Sequence, residues 1–312
     1  MSKTAFLFPG QGSQTVGMGK DLAASSSEAS AIFAEIDEAL GEPLSQMMAE
    51  GPAESLQLTE NTQPAMFASS MAVLRALEAQ SGQMLPELAD YVAGHSLGEY
   101  SALCAASSLG VSETARLLRR RGRAMQKAVP VGDGAMAALL GADLDMAQSI
   151  IEKGATAGLV QIANDNAPGQ IVISGSVAGV HAAMDAAKDA GLRRVVELPV
   201  SAPFHCDLMA PAADEMATAL ADVQMRDAMV PVVCNVTVQA EQQAAELRRN
   251  LVTQVTGRVR WRETLTFLAE QNVTRFVEVG TGKVLSGLVK RTLKDVEIIS
   301  LETAEDISGF LS

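Results

Sequence analysis

The chain has 312 residues, 48% of them apolar and 20% charged, enough to bury one large core or a main domain with an insert. Its 37 acidic against 24 basic residues leave a net charge of −13, which argues against a nucleic-acid partner. Cys104, Cys206 and Cys234 show no disulfide or zinc spacing, no apolar run approaches membrane-spanning length, and residues 5–8 are too short for a signal-peptide core. A soluble, cytosolic protein with no membrane association is expected.

A first strand is predicted over 4–8. It is broken by Pro9-Gly10-Gln11-Gly12-Ser13-Gln14, where Thr15 stands in place of the third glycine of a dinucleotide fingerprint. By itself this loop reads as a tight turn at a strand end. Helices are predicted over 27–40 and 62–80. The second carries Met66, Phe67, Ser70, Val73, Leu74 and Leu77 as a largely apolar stripe. A short strand, Tyr91-Val92-Ala93, then enters Gly94-His95-Ser96-Leu97-Gly98 and leads into a small-residue helix. A serine with glycines two residues away on each side, between strand and helix, has the pattern of a nucleophile elbow. The glycines clear space across the turn, and the serine hydroxyl would project over the helix N-terminus, where free N–H groups can hold an oxyanion.

Ser112-Glu113 opens the next helix, which runs to about 129 and carries Arg116, Arg119, Arg120, Arg121, Arg123 and Lys127. At about 100° per residue, Arg121 falls within the stripe of Leu117, Leu118, Ala124, Met125 and Ala128. The other basic residues face away from it, as a solvated surface would. An arginine in an apolar stripe must find an anion, either a protein carboxylate or an anionic substrate.

Pro130-Val131-Gly132-Asp133-Gly134 marks a boundary. Strand 136–140, helix 144–153, strands 159–163 and 170–174, helix 177–190 and strand 193–198 follow. This βαββαβ order is the ferredoxin-like unit. It divides the chain into a main domain, 1–129 with 200–312, and an inserted subdomain, 130–199. The loop Pro199-Val200-Ser201-Ala202-Pro203-Phe204-His205-Cys206 returns to the main domain. Of the three histidines, His95 adjoins Ser96 and points elsewhere, and His181 belongs to the insert, which leaves His205 as the candidate base. Strand 230–234, helices 244–255 and 262–271, strand 276–279, helix 284–293 and strand 297–301 complete an α/β layering with a largely parallel sheet. Gly282-Lys283 lacks the rest of a P-loop.

Taken together, these stretches resemble the malonyl-CoA:acyl-carrier-protein transacylases of fatty-acid synthesis. The likeness runs from Phe8-Pro9-Gly10-Gln11-Gly12-Ser13-Gln14 through Gly94-His95-Ser96-Leu97-Gly98-Glu99, Arg121-Gly122, Asn166-Ala167-Pro168-Gly169-Gln170 and Phe204-His205 to Val279-Gly280-Thr281-Gly282-Lys283-Val284-Leu285. It implies a hydrolase-like main domain with a ferredoxin-like insert. By position it implies Ser96 as the acylated residue and His205 as the general base. Backbone N–H groups of Gln11 and Leu97 would form the oxyanion hole, and Arg121 would grip the malonyl carboxylate. The Gln254 backbone carbonyl would orient the histidine, and Phe204 would suit unbranched malonyl units. Thr281 departs from the proline common at that position.

No metal and no permanently bound cofactor are implied. CoA enters as a thioester substrate and phosphopantetheine on the carrier. The implied partners are malonyl-CoA and a holo acyl carrier protein, and a monomer is expected. Two basic sets could receive an acidic carrier: Arg116, Arg119, Arg120, Arg123 and Lys127, or Lys283, Lys290, Arg291 and Lys294. A trans-acting acyltransferase of a polyketide synthase fits the same residues. A serine thioesterase or esterase would use the same elbow, and a non-catalytic docking subunit would not need both Ser96 and His205.

Overall fold

The computed structural model describes residues 2–130, 132–200 and 202–312; Val131 of the predicted boundary and Ser201 of the returning loop lie outside them. Ten strands are present among these residues: β1 Lys3–Phe8, β2 Tyr91–Gly94, β3 Gly134–Leu140, β4 Val160–Ala167, β5 Gln170–Ser176, β6 Arg194–Glu197, β7 Val232–Val233, β8 Ala240–Glu241, β9 Val273–Val279 and β10 Glu297–Leu301. They form two sheets. One has the order β10-β9-β1-β2-β7-β8 and is parallel except for β7 with β8. The other, β4-β5-β3-β6, is antiparallel.

The first sheet is central because its inner strands β1 and β2 are apolar on both faces. Residues 5–8 of β1 are fully buried, as a strand covered by helices on each side must be. Helix Thr59–Ser81 runs through the main core and is buried along nearly its whole length. The second sheet is backed by helices Leu144–Gly154 and Val177–Asp189, the ferredoxin-like arrangement predicted from the βαββαβ order. This is a hydrolase-like α/β core with a ferredoxin-like subdomain.

The two sheets are tied at β4. The Asp165 N–H donates to the Val259 carbonyl (2.9 Å) and the Val259 N–H to Ala163 (2.8 Å). The buried Asp165 carboxylate takes a forked bond from Arg262, whose Nη2 is 2.8 Å away. Paired with β5, β4 runs to Ala167, four residues beyond the predicted strand end, and carries Asn166 to the elbow and Asn164 to the cleft beside it.

Other departures have local causes. β7 is two residues long, not five, because the chain turns at Asn235 to bond the elbow instead of a neighbouring strand. Helix Thr59–Ser81 starts three residues before the predicted 62, with Pro64 inside its second turn. A terminal helix, Ala304–Leu311, escaped prediction; it is short and is started by a Thr303–Asp306 capping box rather than by a long apolar stripe. Arg119 is not on a solvated face. It is buried at 6% exposure, bonded to Asn61 and paired with Glu42, because its helix is packed by helices on several sides.

The glycines of the elbow are dictated by contact distance. A Cβ at Gly94 would lie 1.8 Å from the Gly98 carbonyl oxygen, whereas one at Gly287, in helix Val284–Thr292, would meet nothing. Gly94→Ala is therefore expected to lose about 3 kcal/mol or more of stability. Gly287→Ala should gain roughly 0.5–1 kcal/mol from helix propensity. Thermal melts of the two variants check the contrast.

Candidate active site

Ser96 sits at the top of β2, before helix Gly98–Ala105, with φ 54°. A non-glycine residue in the left-handed region is strained and persists only where its surroundings hold it. Here Asn235 does so. Its Oδ1 accepts from the Ser96 N–H (2.8 Å) and its Nδ2 donates to the Gly94 carbonyl (2.7 Å).

The Ser96 hydroxyl lies 2.7 Å from Nε2 of His205, which also has a left-handed backbone, φ 59°. The other ring nitrogen, Nδ1, faces two carbonyl oxygens, Gln254 at 2.8 Å and Gly257 at 3.1 Å. Both are acceptors, so Nδ1 carries the proton and Nε2 is left to accept from the serine hydroxyl. Among the described residues no carboxylate bonds the ring. Burial, reinforced by the positive charge of Arg121, pushes the His205 pKa down to about 3. The imidazole is therefore neutral over the ordinary pH range, as a proton acceptor must be.

Arg121 is 1% exposed and belongs to none of the ion pairs among the described residues. Its guanidinium donates instead to neutral oxygens: Gln63 Oε1 at 2.8 Å, Gln254 Oε1 at 2.9 Å and Ser96 Oγ at 3.2 Å. It also faces the Tyr100 ring, 5.6 Å from its centroid, and its Nε has no acceptor. Burial lowers its pKa, while Tyr100 and Glu99 work in the opposite direction. Among the described residues no carboxylate is in direct contact with it; Glu99 acts on it from behind Gln254.

These groups open onto one cleft of about 470 Å³ between the two sheets. Gln11, Leu97 and Phe204 line it together with Ser96, Arg121 and His205. The Gln11 and Leu97 N–H groups have no acceptor among the described residues. The loop at Gln11 is brought to the elbow by close packing, since a Cβ on Gly10 would lie 2.7 Å from the His95 carbonyl oxygen. His95 itself bonds Asn166 (Nε2 to Oδ1, 2.8 Å) and packs edge-on to Trp261. His181 is exposed and pairs with Glu197. Chemically, the arrangement can deprotonate an alcohol as it attacks an acyl carbon, hold the resulting oxyanion, and bind a carboxylate beside it.

Three contributors escaped the sequence reading: Gln63, Asn235 and Glu99. Glu99 had a visible signal, a lone carboxylate in a helix of otherwise small and apolar residues that is buried throughout. Its Oε2 accepts from the Asn235 N–H and from Gln254 Nε2, each at 3.0 Å, and burial raises its pKa to about 7. Gln63 and Asn235 carried no such mark.

The chain matches the acyl transferase domain family over residues 5–308. It is 46% identical over 308 residues to the malonyl CoA-acyl carrier protein transacylase of Bacillus subtilis, covering 98% of this chain and 96% of that one. The crystal structure of an acyl-carrier-protein-S-malonyltransferase from Bartonella henselae superposes with a TM-score of 0.97 at 51% identity, covering 100% and 98% of the two chains. A malonyl-transacylase in complex with a type II polyketide synthase acyl-carrier protein superposes with a TM-score of 0.95 at 40% identity, covering 99% of each. With identity and coverage this high over a shared fold, the chain belongs to the malonyl CoA-acyl carrier protein transacylases.

Proposed function

We propose that this acyltransferase moves a malonyl group from malonyl-CoA to the pantetheine thiol of a holo acyl carrier protein, through a malonyl-serine. The observation that carries the reading is a buried guanidinium, with no carboxylate of its own, bonded to the same hydroxyl that a neutral imidazole contacts. Ser96 Oγ attacks the thioester carbonyl while His205 Nε2 takes its proton. The Leu97 and Gln11 N–H groups receive the charge on the carbonyl oxygen. The intermediate collapses, the carbon–sulfur bond breaks, and His205 returns the proton to the departing CoA sulfur. The carrier thiol then gives its proton to His205 and attacks the malonyl ester; the ester carbon–oxygen bond breaks, and His205 returns the proton to Ser96 Oγ. One thioester is exchanged for another, so the step is close to neutral in free energy.

The Gln254 carbonyl orients His205 in this reading. A carbonyl brings no negative charge, so it leaves Arg121 without a carboxylate in direct contact and attractive to a substrate carboxylate. The carboxylate sits one methylene from the reacting carbonyl, which suits a guanidinium in contact with Ser96 Oγ. Phe204, packed at the cleft wall, limits branching at that methylene. Of the two basic sets, the arginine helix is partly tied up: Arg119 is buried, Arg120 pairs with Glu215, and Arg123 with Glu60 and Glu42, so that among the described residues Arg116 and Lys127 remain exposed and outside any ion pair. Lys283, Lys290, Arg291 and Lys294 are exposed and outside any ion pair among the described residues, which favours them for the carrier. We read residues 130–199 as the subdomain and 1–129 with 200–312 as the main domain, in a cytoplasmic monomer. No helix is long and apolar enough to cross a membrane among the described residues. The same chemistry would serve a fatty-acid or a polyketide carrier.

Intact-protein mass spectrometry after exposure to malonyl-CoA tests the covalent step. A malonyl adduct is expected on the unaltered chain, mapping to Ser96 and disappearing on addition of holo-carrier. It should be missing from Ser96→Ala, and rapid discharge to water without carrier would instead mark a hydrolase. Arg121→Ala is expected to lose about two to four decades in kcat/KM for malonyl-CoA, the consequence of roughly 3–5 kcal/mol from a broken buried pair, with acetyl-CoA little affected. A third expectation concerns pH. Because the folded His205 stays neutral far below the ordinary histidine value of 6.5, single-turnover acylation should be level from about pH 8 to about pH 5, with loss only as protonation of the depressed group begins. An acid limb centred near 6.5 in stopped-flow traces would contradict this.

A further inference from the structure

Glu99 is a fully enclosed carboxylate that the acyl transfer does not use. It makes no hydrogen bond to His205, and among the described residues its Oε1 has no hydrogen-bond partner, with the Cys234 thiol beside the carboxylate. Its Oε2 receives Gln254 Nε2, and that same nitrogen donates to the Ser96 carbonyl at 2.8 Å. The opposite end of the amide, Oε1, accepts from Arg121 Nη2. The Gln254 amide is thus an oriented bridge with acceptors on one side and a donor on the other. A flip would aim an NH2 group at a guanidinium that has only donors to offer, and would aim a carbonyl oxygen at two oxygens.

We propose that Glu99 is a positioning residue for acyl selectivity: by accepting from Gln254 it fixes the amide that holds Arg121, and so sets the guanidinium's grip on the free carboxylate of the acyl group. The proposal rests on the reading of Arg121 given above. What matters is an acceptor at Oε2 rather than the charge. A protonated carboxyl or an amide at position 99 can place its hydrogens on the Oε1 side and leave the accepting oxygen in place. The interposed glutamine also keeps the carboxylate from pairing directly with Arg121, which would close the site to an anionic substrate.

The test measures acylation with malonyl-CoA and acetyl-CoA on Glu99→Met, Glu99→Gln, Gln254→Met and the double variant Glu99→Met/Gln254→Met. Glu99→Met keeps the side-chain length and removes the acceptor. Its malonyl-to-acetyl ratio of kcat/KM is expected to fall about ten-fold or more through a raised KM for malonyl-CoA, with acetyl-CoA within about three-fold. Glu99→Gln should keep the ratio within about three-fold of the unaltered chain. The double variant should be no worse than Gln254→Met, because both changes break one bridge. An unchanged ratio in Glu99→Met, an equal fall in Glu99→Gln, or parallel loss of both thioesters would overturn the proposal; the last would make Glu99 a support of the elbow through Asn235. If Glu99→Met does not fold, Gln254→Met decides, since a ratio unchanged there removes the bridge from the mechanism. Arg121→Ala in the same assay separates the two levels. If that variant keeps the malonyl preference, the reading of Arg121 fails independently of Glu99.

Discussion

Burying a guanidinium without a carboxylate is the constraint around which this site is built. Desolvating a cation is costly, and the usual remedy is an acidic partner on the protein. Here the neutral oxygens of Gln63, Gln254 and Ser96 take that place, with the Tyr100 ring alongside. Such partners satisfy donors without cancelling charge. The cost of an unpaired positive charge in a closed cleft is thus carried by the fold, and in the proposed reaction it is offset when the substrate carboxylate enters.

That constraint explains the form of the neighbouring groups. A carboxylate on His205 Nδ1, as in a serine-protease triad, would put a second full charge close to Arg121. The two carbonyls fix the tautomer without it, and Arg121 in turn helps keep the imidazole neutral. Gln254 joins the parts: its backbone faces His205, and its side chain faces Arg121, Ser96 and Glu99. Small displacements of this residue would reach His205, Arg121 and Ser96 together.

The two sheets divide the labour. The parallel sheet presents the elbow at the carboxyl end of β2, where a strand-to-helix turn leaves N–H groups unpaired. The antiparallel sheet roofs the cleft with Met136, Asn164, Asn166 and Val172. The β4 seam, with its Asp165–Arg262 fork, locks one against the other, so the cleft is a product of tertiary contact and belongs to neither sheet alone.

Much of this was legible in local pattern. The glycine spacing around Ser96, each element of the βαββαβ series and the helical phase of Arg121 depend on residues close together in the chain, so period and spacing suffice to read them. Burial of Arg119 was not legible, because a helix packed on several sides hides residues that a single amphipathic stripe would expose. The partners of Arg121 were equally hidden: Gln63 lies 58 positions away and Gln254 lies 133, and neither carries a charge to betray its role. By itself the chain's residue order determined which backbone turns could form and which side chains would be costly to bury. Only the packed structure decided what those side chains meet, since hydrogen-bond direction between distant segments exists only once the segments are in place.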